Sequence, residues 1–317
     1  MLLNKHIAQA VHIIQNGGLV AFPTDTVYGL GGDATNEFAC NKIFETKGRL
    51  SSNPLIIHVA NIEQVKNIAH MNKDAIKLSI LWPGPLTMVL PLKKKNKISK
   101  KATANLDTIA IRIPNSKLTL DIINYSNTFI AAPSANLSNF LTTTSYQDVK
   151  YNFPENIYII PNENPNACGI ESTIIDLTKE QPVLLRPGYI VKNQLSAILG
   201  KEILLPKQTN KIKSPGMFLK HYSPKSKIRL NASFLEIQEV GLDFGKSGNF
   251  DSRYPRNFSL NLSNKSCLIE ATKNLFAYLH QLDYHALNYK KSIAVAPIEN
   301  QGLGYTINDR LKRAAYE

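Results

Sequence analysis

The side chains in this sequence that could do chemistry are mostly cations, hydroxyls and amides. Lys47 and Arg49 stand two positions apart in KGR, and Asn53 begins the segment NPLIIH. A lysine and an arginine in one loop can converge on a polyanion, and an asparagine side chain both donates and accepts hydrogen bonds. For Lys47 and Arg49 a solvated helix end, where cations complement the helix dipole, remains the alternative.

Three further candidates lie within or beside apolar runs. Arg112 lies inside IAIRIP, and an arginine is rarely buried without a partner, so it either pairs with a carboxylate or faces a pocket. Arg186 precedes a Pro-Gly pair in LRPG. His58 lies inside LIIHV, where a core histidine with satisfied hydrogen bonds is a more frequent outcome than a ligand.

Clusters of hydroxyls and glycines follow other apolar runs. PTDTVYGLG begins at position 23 and PSANLS at position 133, each directly after a run that is typical of a buried strand. Such clusters at the carboxyl ends of strands suit a small polar ligand, whereas hydroxyls that cap ordinary turns are the alternative. The candidate residues in these and similar clusters are Thr26, Thr108, Ser134, Asn136, Ser172 and Tyr222.

The short motifs of several common catalytic classes are missing from the sequence. It contains no GxxxxGK[ST], GxGxxG, HExxH or GxSxG segment. The polar residues therefore indicate a site that works by positioning and charge stabilisation rather than by covalent catalysis.

The elements that must position these residues follow from the apolar pattern. Apolar runs typical of strands span 19–22, 55–59, 86–92, 109–113, 129–132, 158–160, 173–177 and 182–185, and helical spacing spans 4–16, 36–46, 62–68 and 118–125. Strands and helices alternate less regularly than in repeated βαβ units. The pattern therefore predicts an α/β fold with a mixed sheet.

The character of the sequence changes after about residue 205. Residues rich in Lys, Ser and Pro indicate a linker, and apolar runs then resume with helical spacing at 266–282 and 309–315 and a strand at 292–297. A chain of 317 residues is long enough for two domains. The predicted organisation is a first domain at 1–205, a basic linker at 206–227 and a small second α/β domain at 228–317.

Positive charge is concentrated in two short segments. The chain has 37 Lys and Arg against 24 Asp and Glu, a net charge of +13. Residues 93–101, KKKNKISKK, hold six lysines and no acid, and residues 201–229 hold eight basic residues and one acid. A uniformly basic surface would indicate general nucleic-acid binding, whereas two local segments indicate local binding of anions. Loops that the lysines only keep solvated are the alternative.

Composition favours a folded, cytoplasmic protein. Hydrophobic residues make up 43% of the chain and charged residues 19%, which suits a packed core. No apolar stretch reaches the ~18 residues of a membrane span, and polar residues interrupt the first 18 positions as no signal peptide would allow. Cys40, Cys168 and Cys267 are far apart and odd in number, which argues against a disulfide framework or a zinc site.

Seven segments occur in an order that resembles one protein family. They are PTDTVYGLG, KGR followed by NPLIIH, LWPGPLT, PSANLS, ESTIID, LRPG and SPGM with KHYSP. In this order they resemble the threonylcarbamoyl-AMP synthase family, the YrdC-like proteins. The final GLG with INDRLKRAA resembles the long form, which has an extra C-terminal domain. The resemblance implies a twisted mixed α/β sheet with a large concave cavity and a small Rossmann-like second domain.

An activity is implied by the same resemblance. L-threonine, bicarbonate or CO₂ and ATP would give threonylcarbamoyl-AMP and pyrophosphate, with Mg²⁺ accompanying ATP and no protein-bound metal site. The product would serve the N6-threonylcarbamoyladenosine modification at position 37 of tRNA, through downstream transfer proteins. The linker would cover the active site. Direct tRNA binding would be weak, and no membrane partner is expected.

Individual residues acquire expected roles from the family motifs. Lys47 and Arg49 match the pair that handles nucleotide phosphates and are the expected catalytic residues. The residues expected to bind L-threonine are Thr26, His58, Arg112, Ser134 and Ser172, with Arg112 on the carboxylate. The residues expected to bind ATP are Arg49, Asn53, Thr108, Asn136, Thr144, Arg186 and Tyr222.

Three positions depart from the family pattern. Leu50 stands where proline is common, Asn139 where glycine is usual and Thr306 where alanine is frequent. Asn139 bears on the geometry of its turn, because glycine accepts a positive φ. None of the three removes a charged group, so activity is expected to survive.

Two other functions are weighed against the synthase. A non-catalytic RNA-binding module of the same fold would bind RNA in a salt-sensitive way, but no aromatic residue lies among the lysines of 93–101. A related carbamoyltransferase of hydrogenase maturation would need zinc-finger cysteines and an acylphosphatase-like segment. The sequence has neither.

Overall fold

Two β-sheets organise the chain. The structure, a computed structural model, describes residues 4–153, 157–161, 167–206, 221–246, 250 and 258–316. Most of the predicted linker, residues 207–220, lies outside the described residues. The predicted division at 205 and 228 stays a prediction.

The first sheet has nine strands and is mixed. Its strands are β1 Val20–Pro23, β2 Tyr28–Asp33, β3 Ile56–His58, β4 Leu86–Pro91, β5 Thr108–Arg112, β6 Ile130–Ala131, β7 Tyr158–Ile159, β8 Thr173–Asp176 and β9 Val183–Arg186. They lie in the order β7-β1-β2-β6-β3-β5-β4-β8-β9. The pairs β1–β7, β3–β5 and β4–β8 are parallel and the other neighbours are antiparallel. The predicted mixed sheet is confirmed.

Helices cover both faces of this sheet. They are α1 Lys5–Gln15, α2 Glu37–Lys47, α3 Ile62–Ile68, α4 Lys73–Leu78, α5 Lys117–Ser126, α6 Tyr146–Asn152 and α7 Lys192–Leu199, with a 3₁₀ turn at Ser79–Leu81. On one face α1 and α5 bury Ile14 and Ile122 against Phe22. The larger core lies on the other face, where α2, α3, α4 and α7 pack.

The prediction missed α4, α6 and α7, which are all short. Each has six to eight residues, about two turns, so an apolar stripe has too few positions to stand out. For α4 and α6, the signal that was available is the cap. Asn72 accepts a hydrogen bond from the Ala75 amide, and Ser145 forms a capping box with Asp148.

The segment at 23–31 differs from its prediction as a strand that exits into a loop. It forms a tight hairpin, since β1 and β2 pair antiparallel with Pro23 opposite Tyr28. Two glycines of β2, Gly31 and Gly32, have no space for a side chain beside them. A Cβ on Gly31 would lie 2.4 Å from a ring carbon of Phe22. Close packing, not loop flexibility, explains these two glycines.

The second sheet is parallel throughout. Its strands β10 Ile228–Arg229, β11 Glu239–Asp243, β12 Ser259–Asn261 and β13 Ser292–Val295 lie in the order β10-β13-β11-β12. Helix α8, Leu268–Asn288, and helix α9, Leu303–Ala314, bury their apolar sides with it. Both helices are longer than predicted. This second, parallel α/β unit agrees with the predicted Rossmann-like domain.

Membrane insertion by a helix finds no support in the described residues. None of their helices is both long and apolar enough to cross a bilayer.

Candidate active site

A cleft on the nine-stranded sheet collects polar side chains from distant parts of the chain. Seven of the predicted site residues line it: Thr26, Arg49, His58, Arg112, Ser134, Ser172 and Arg186. The remaining lining residues are Thr24, Val27, Tyr28, Gly29, Ile56, Ala132, Pro133, Glu171 and His221. The structure thus brings together hydroxyls, three arginines, a carboxylate and two histidines.

The pleat of the sheet explains why two polar residues in apolar strands face the cleft. Strands β3 and β5 pair in parallel with His58 opposite Arg112. Side chains alternate between faces along a strand, so His58 lies on the face opposite Ile57, which is in the large core. The apolar neighbours of His58 in the sequence therefore belong to the other side of the sheet.

Arg112 is both paired with a carboxylate and part of the cleft wall. Its Nη2 forms an ion pair with Asp25, its Nη1 donates to the Thr26 hydroxyl at 2.8 Å and its Nε donates to the Gly84 carbonyl at 3.1 Å. The residue is 3% exposed. A guanidinium has five N–H groups, so two are left for a ligand in the cleft.

Arg49 and Arg186 form a second group of cations. Arg49 donates to the backbone carbonyls of Asn53 and Pro54, and Arg186 donates to the carbonyl and the hydroxyl of Ser172. Neither forms an ion pair with a carboxylate of the described residues. Burial and then the charge of Arg186 lower the pKa of Arg49 to about 9. Two like charges that destabilise each other favour a bound anion.

The local structure of α2 delivers Arg49 to this position. The helix ends at Lys47, and Gly48 follows in the left-handed conformation with φ of 58°. This reversal closes the helix, as the Arg49 amide bonds back to the Phe44 carbonyl. The predicted helix end is confirmed, but the arginine turns inward instead of into solvent.

Glu171 is the carboxylate of the cleft wall. Burial alone would raise its pKa, but Arg310 and then Arg186 bring the pKa of Glu171 below its usual value. Its Oε2 accepts from Arg310 Nε at 3.2 Å, and its Oε1 accepts from the Thr142 hydroxyl. Glu171 is therefore ionised, and both of its oxygens are engaged by residues that do not line the cleft.

The two histidines of the cleft are neutral. Burial first, and Arg112 second, lower the pKa of His58 to about 3. Burial is also the main reason why the pKa of His221 falls to about 3. Both imidazoles can donate and accept hydrogen bonds to a ligand, but a pKa so far below 7 makes them poor general bases.

The buried His58 is expected to make the free energy of unfolding depend on pH. Its pKa is about 3 in the folded chain against an ordinary 6.5, so the unfolded chain binds more protons between these values. The free energy of unfolding should therefore fall as the pH drops from 6.5 towards 3. We expect His58→Gln to flatten this fall by up to about 1.4 kcal/mol per pH unit, measured by urea denaturation. His12→Gln, at an exposed site, is the matched control and should keep the parent slope.

Six predicted site residues do not line the cleft, and Lys47 is the most informative. It is 2% exposed, and its Nζ donates to the carbonyls of Ser134, at 2.6 Å, and Asn136. Burial, followed by the charge of Arg49, holds the pKa of Lys47 well below its ordinary value. In this geometry Lys47 anchors the PSAN loop behind the cleft wall. Its expected role on the phosphates stays a prediction.

The other five are placed as follows. Asn53 is buried beside Arg49, and the Asn136 side chain donates to the carbonyls of Leu137 and Phe140. Thr108 begins β5, about 13 Å along the strand from Arg112. Thr144 bonds to the Asp148 carboxylate that caps α6, and Tyr222 is buried against Phe276. Their expected contacts with ATP stay predictions.

Asn139 adopts the backbone conformation that the usual glycine would provide in its turn. Its φ is 71°, so asparagine adopts the left-handed conformation there. Asparagine is among the few residues that tolerate this region, and the turn needs no glycine.

Sequence reasoning missed Glu171, His221 and Arg310 as site residues. All three lie in segments that the family resemblance had quoted, ESTIID, KHYSP and INDRLKRAA. Those segments were the available signal. The ion pair between Glu171 and Arg310 joins positions 139 apart, and no local pattern reveals such a contact.

Two family models match the two parts of the chain. The Sua5/YciO/YrdC family model, described as telomere recombination, matches residues 12–188. A second model, described as threonylcarbamoyl-AMP synthase, C-terminal domain, matches residues 190–316.

Curated proteins match over almost the full length. The chain is 36% identical to the threonylcarbamoyl-AMP synthase of Pyrococcus abyssi, over 96% of this chain and 93% of that protein. It is 35% identical to the Bacillus subtilis protein of the same name, over 98% and 93%. The crystal structure of P. abyssi Sua5 complexed with L-threonine superposes with a TM-score of 0.86 at 34% identity, covering 98% of this chain and 94% of that one. These matches confirm the predicted fold.

Proposed function

The chain belongs to the Sua5/YciO/YrdC family, in the form with a threonylcarbamoyl-AMP synthase C-terminal domain, and is an enzyme of the nucleotidyltransferase kind. We propose that it makes L-threonylcarbamoyl-AMP and pyrophosphate from L-threonine, bicarbonate or CO₂ and ATP. The observation that carries the proposal is one cleft with two kinds of cation. Arg112 is ion-paired and surrounded by hydroxyls, whereas Arg49 and Arg186 have no carboxylate partner among the described residues.

The Arg112 end of the cleft suits an amino acid. The two remaining N–H groups of Arg112 can donate to the threonine carboxylate as a fork. The hydroxyls of Thr26, Ser134 and Ser172 and the neutral His58 offer donors and acceptors for the hydroxyl and the amine of threonine. A neutral imidazole also avoids repelling the ammonium form of the substrate.

The Arg49 and Arg186 end suits a triphosphate. Phosphoryl and nucleotidyl transfer depend mainly on positioning and on the neutralisation of negative charge. Two guanidinium groups that already repel each other gain when an anion binds between them. We expect both arginines to stabilise the charge that develops as pyrophosphate leaves.

Mg²⁺ enters, in this proposal, together with ATP. The ion would supply charge neutralisation on the phosphates. The cleft's own carboxylate, Glu171, is engaged by Arg310, and the described residues contain no group of three His, Cys, Asp or Glu side chains suited to a metal. Arg49 and Arg186 therefore do the protein's part in charge neutralisation.

The reaction proceeds in two balanced steps. The unprotonated amine of threonine attacks bicarbonate and forms N-carboxy-threonine and water, or attacks CO₂ with loss of a proton. A carboxylate oxygen of this carbamate then attacks the α-phosphorus of ATP, and the bond to the β-phosphate oxygen breaks to release pyrophosphate. Because His58 and His221 have a pKa of about 3, neither takes the amine proton near pH 7. The amine proton therefore leaves to water or to a substrate oxygen, not to an imidazole.

Downstream, the product is a mixed anhydride that carries an activated carbamoyl group. We place it as the donor for the N6-threonylcarbamoyladenosine modification at position 37 of tRNA, carried out by separate transfer proteins. A non-catalytic RNA-binding module remains the second candidate. The cation-rich cleft favours it as well, because phosphates of RNA would also fit between Arg49 and Arg186.

Pyrophosphate release separates these two candidates. The full chain with MgATP is expected to release pyrophosphate only when both L-threonine and bicarbonate are present. Omission of either substrate, and replacement of L-threonine by D-threonine, are the controls. Release that ignores threonine or bicarbonate would contradict the synthase. No turnover together with salt-sensitive RNA binding would favour the binding module.

A further inference from the structure

Arg310 of the C-terminal unit reaches the wall of the cleft. It lies on α9, is fully buried and donates through Nε to Glu171 Oε2 at 3.2 Å. Its Nη1 pairs with Asp309 at 2.8 Å, and its guanidinium carbon lies 5.1 Å from the centre of the Tyr222 ring. A cation at this distance from an aromatic face is attracted to it. One side chain thus joins α9, the ESTI segment and the residue that follows His221.

The segments that carry cleft residues rest directly on the C-terminal helices. A Cβ on Gly169 would lie 2.5 Å from the backbone of Thr272 and Lys273, so α8 packs tightly there. The Thr306 hydroxyl donates to the Gly188 carbonyl at 3.0 Å. His280 Nε2 lies 3.0 Å from the Thr142 carbonyl. The loop before Glu171 and the turn after Arg186 are therefore held by α8 and α9.

The role of the ion pair between Arg310 and Glu171 follows from the charges around it. Glu171 and Arg186 both line the cleft, yet no ion pair joins them, and Glu171 pairs with Arg310 instead. Arg310 is also the largest cause that lowers the pKa of Glu171. Without Arg310 the Glu171 carboxylate would be buried with Arg186 as the next cation. That new pair would neutralise a charge that the triphosphate needs.

We propose that Arg310 is a positioning residue of the nucleotide site. It holds Glu171 on the C-terminal side, so that Arg186 and Arg49 stay available to phosphate. The role of the C-terminal unit is then to complete the active site, and any partner that displaces α9 would lower ATP affinity. The inference rests on the proposed function for the identity of the anion, ATP.

The test compares Arg310→Met, Arg310→Lys and the double variant Arg310→Met with Glu171→Gln. We expect Arg310→Met to raise the KM for ATP about 10- to 100-fold with a smaller change in kcat. The reason is that Arg186, once paired with the freed Glu171, loses its charge-assisted contact with the phosphates. Arg310→Lys, which keeps the charge, should recover part of this loss. The double variant should restore the KM towards the parent value, because the freed carboxylate is gone.

A matched control comes from the same unit. Arg229 pairs with Glu239 at 2.6 Å, and neither lines the cleft. Arg229→Met should lower the melting temperature without changing the KM for ATP. Direct ATP binding, measured by calorimetry on every variant without threonine, gives a second readout that needs no turnover.

Two results would overturn the inference. One is an unchanged ATP affinity in both Arg310 variants, whatever happens to their melting temperature. The other is a double variant that binds ATP no better than Arg310→Met, which would mean that the loss does not come from the freed Glu171 carboxylate. If Arg310→Met does not fold, the ATP affinity of Arg310→Lys is compared with that of the parent. Equal affinities would then overturn the inference. A parent chain that binds ATP but releases no pyrophosphate would contradict the proposed function alone.

Discussion

Replacing Arg186 by methionine is expected to lower kcat/KM for ATP by about 100- to 1,000-fold, the usual cost of one preorganised donor to a developing charge. Arg186 is buried, bonds to the carbonyl and hydroxyl of Ser172 and faces the cleft without a carboxylate partner among the described residues. Removing it leaves Arg49 alone to neutralise the phosphates. The measurement is the initial rate of pyrophosphate release as a function of ATP concentration.

The fold should tolerate this substitution. Burial, before any charge, lowers the pKa of Arg186, and the positive charge of Arg186 lowers the pKa of Arg49 in turn. A methionine of similar length removes this repulsion, and Glu171 keeps its ion pair with Arg310, so the melting temperature should stay near that of the parent. Arg186→Lys keeps the charge but not the fork and should fall between the two. A loss of less than fivefold in Arg186→Met would contradict a role on the nucleotide.

Replacing Arg112 by glutamine is expected to have two separable effects. It leaves the Asp25 carboxylate buried and unpaired, which typically lowers the free energy of unfolding by about 3–5 kcal/mol. It also removes the fork proposed to hold the threonine carboxylate, so the KM for threonine should rise at least about 100-fold. Denaturant unfolding measures the first effect and pyrophosphate release at varied threonine the second.

The double variant Arg112→Gln with Asp25→Asn separates stability from binding. Both buried charges are then gone, and the free energy of unfolding should return to within about 1–2 kcal/mol of the parent. The KM for threonine should stay high, because no cation replaces Arg112. A double variant that regains threonine binding would show that Arg112 acts only by supporting the fold.

Local patterns predicted most of the nine-stranded sheet and the helices α1, α2, α3 and α5. The run LIIHV predicted β3, because a short apolar stretch is typical of a buried strand. The strand β2 was missed because its glycines are typical of a loop. In the folded chain the Phe22 ring fills the space beside Gly31, so only glycine fits there. Neighbouring chain segments, which no local window contains, decide such a position.

The sequence by itself determined the chemistry that is present: the arginines, the hydroxyls at strand ends and the order of motifs that placed the chain in its family. Only the tertiary structure decided how the charges are shared. Asp25 pairs with Arg112 and Glu171 with Arg310, which leaves Arg49 and Arg186 without a carboxylate partner in the described part of the chain. The physical reason is that an ion pair depends on distances of a few ångströms between residues far apart in sequence. The positive charge available to a ligand in the cleft therefore depends on which arginines pair with carboxylates, rather than on the net charge of +13.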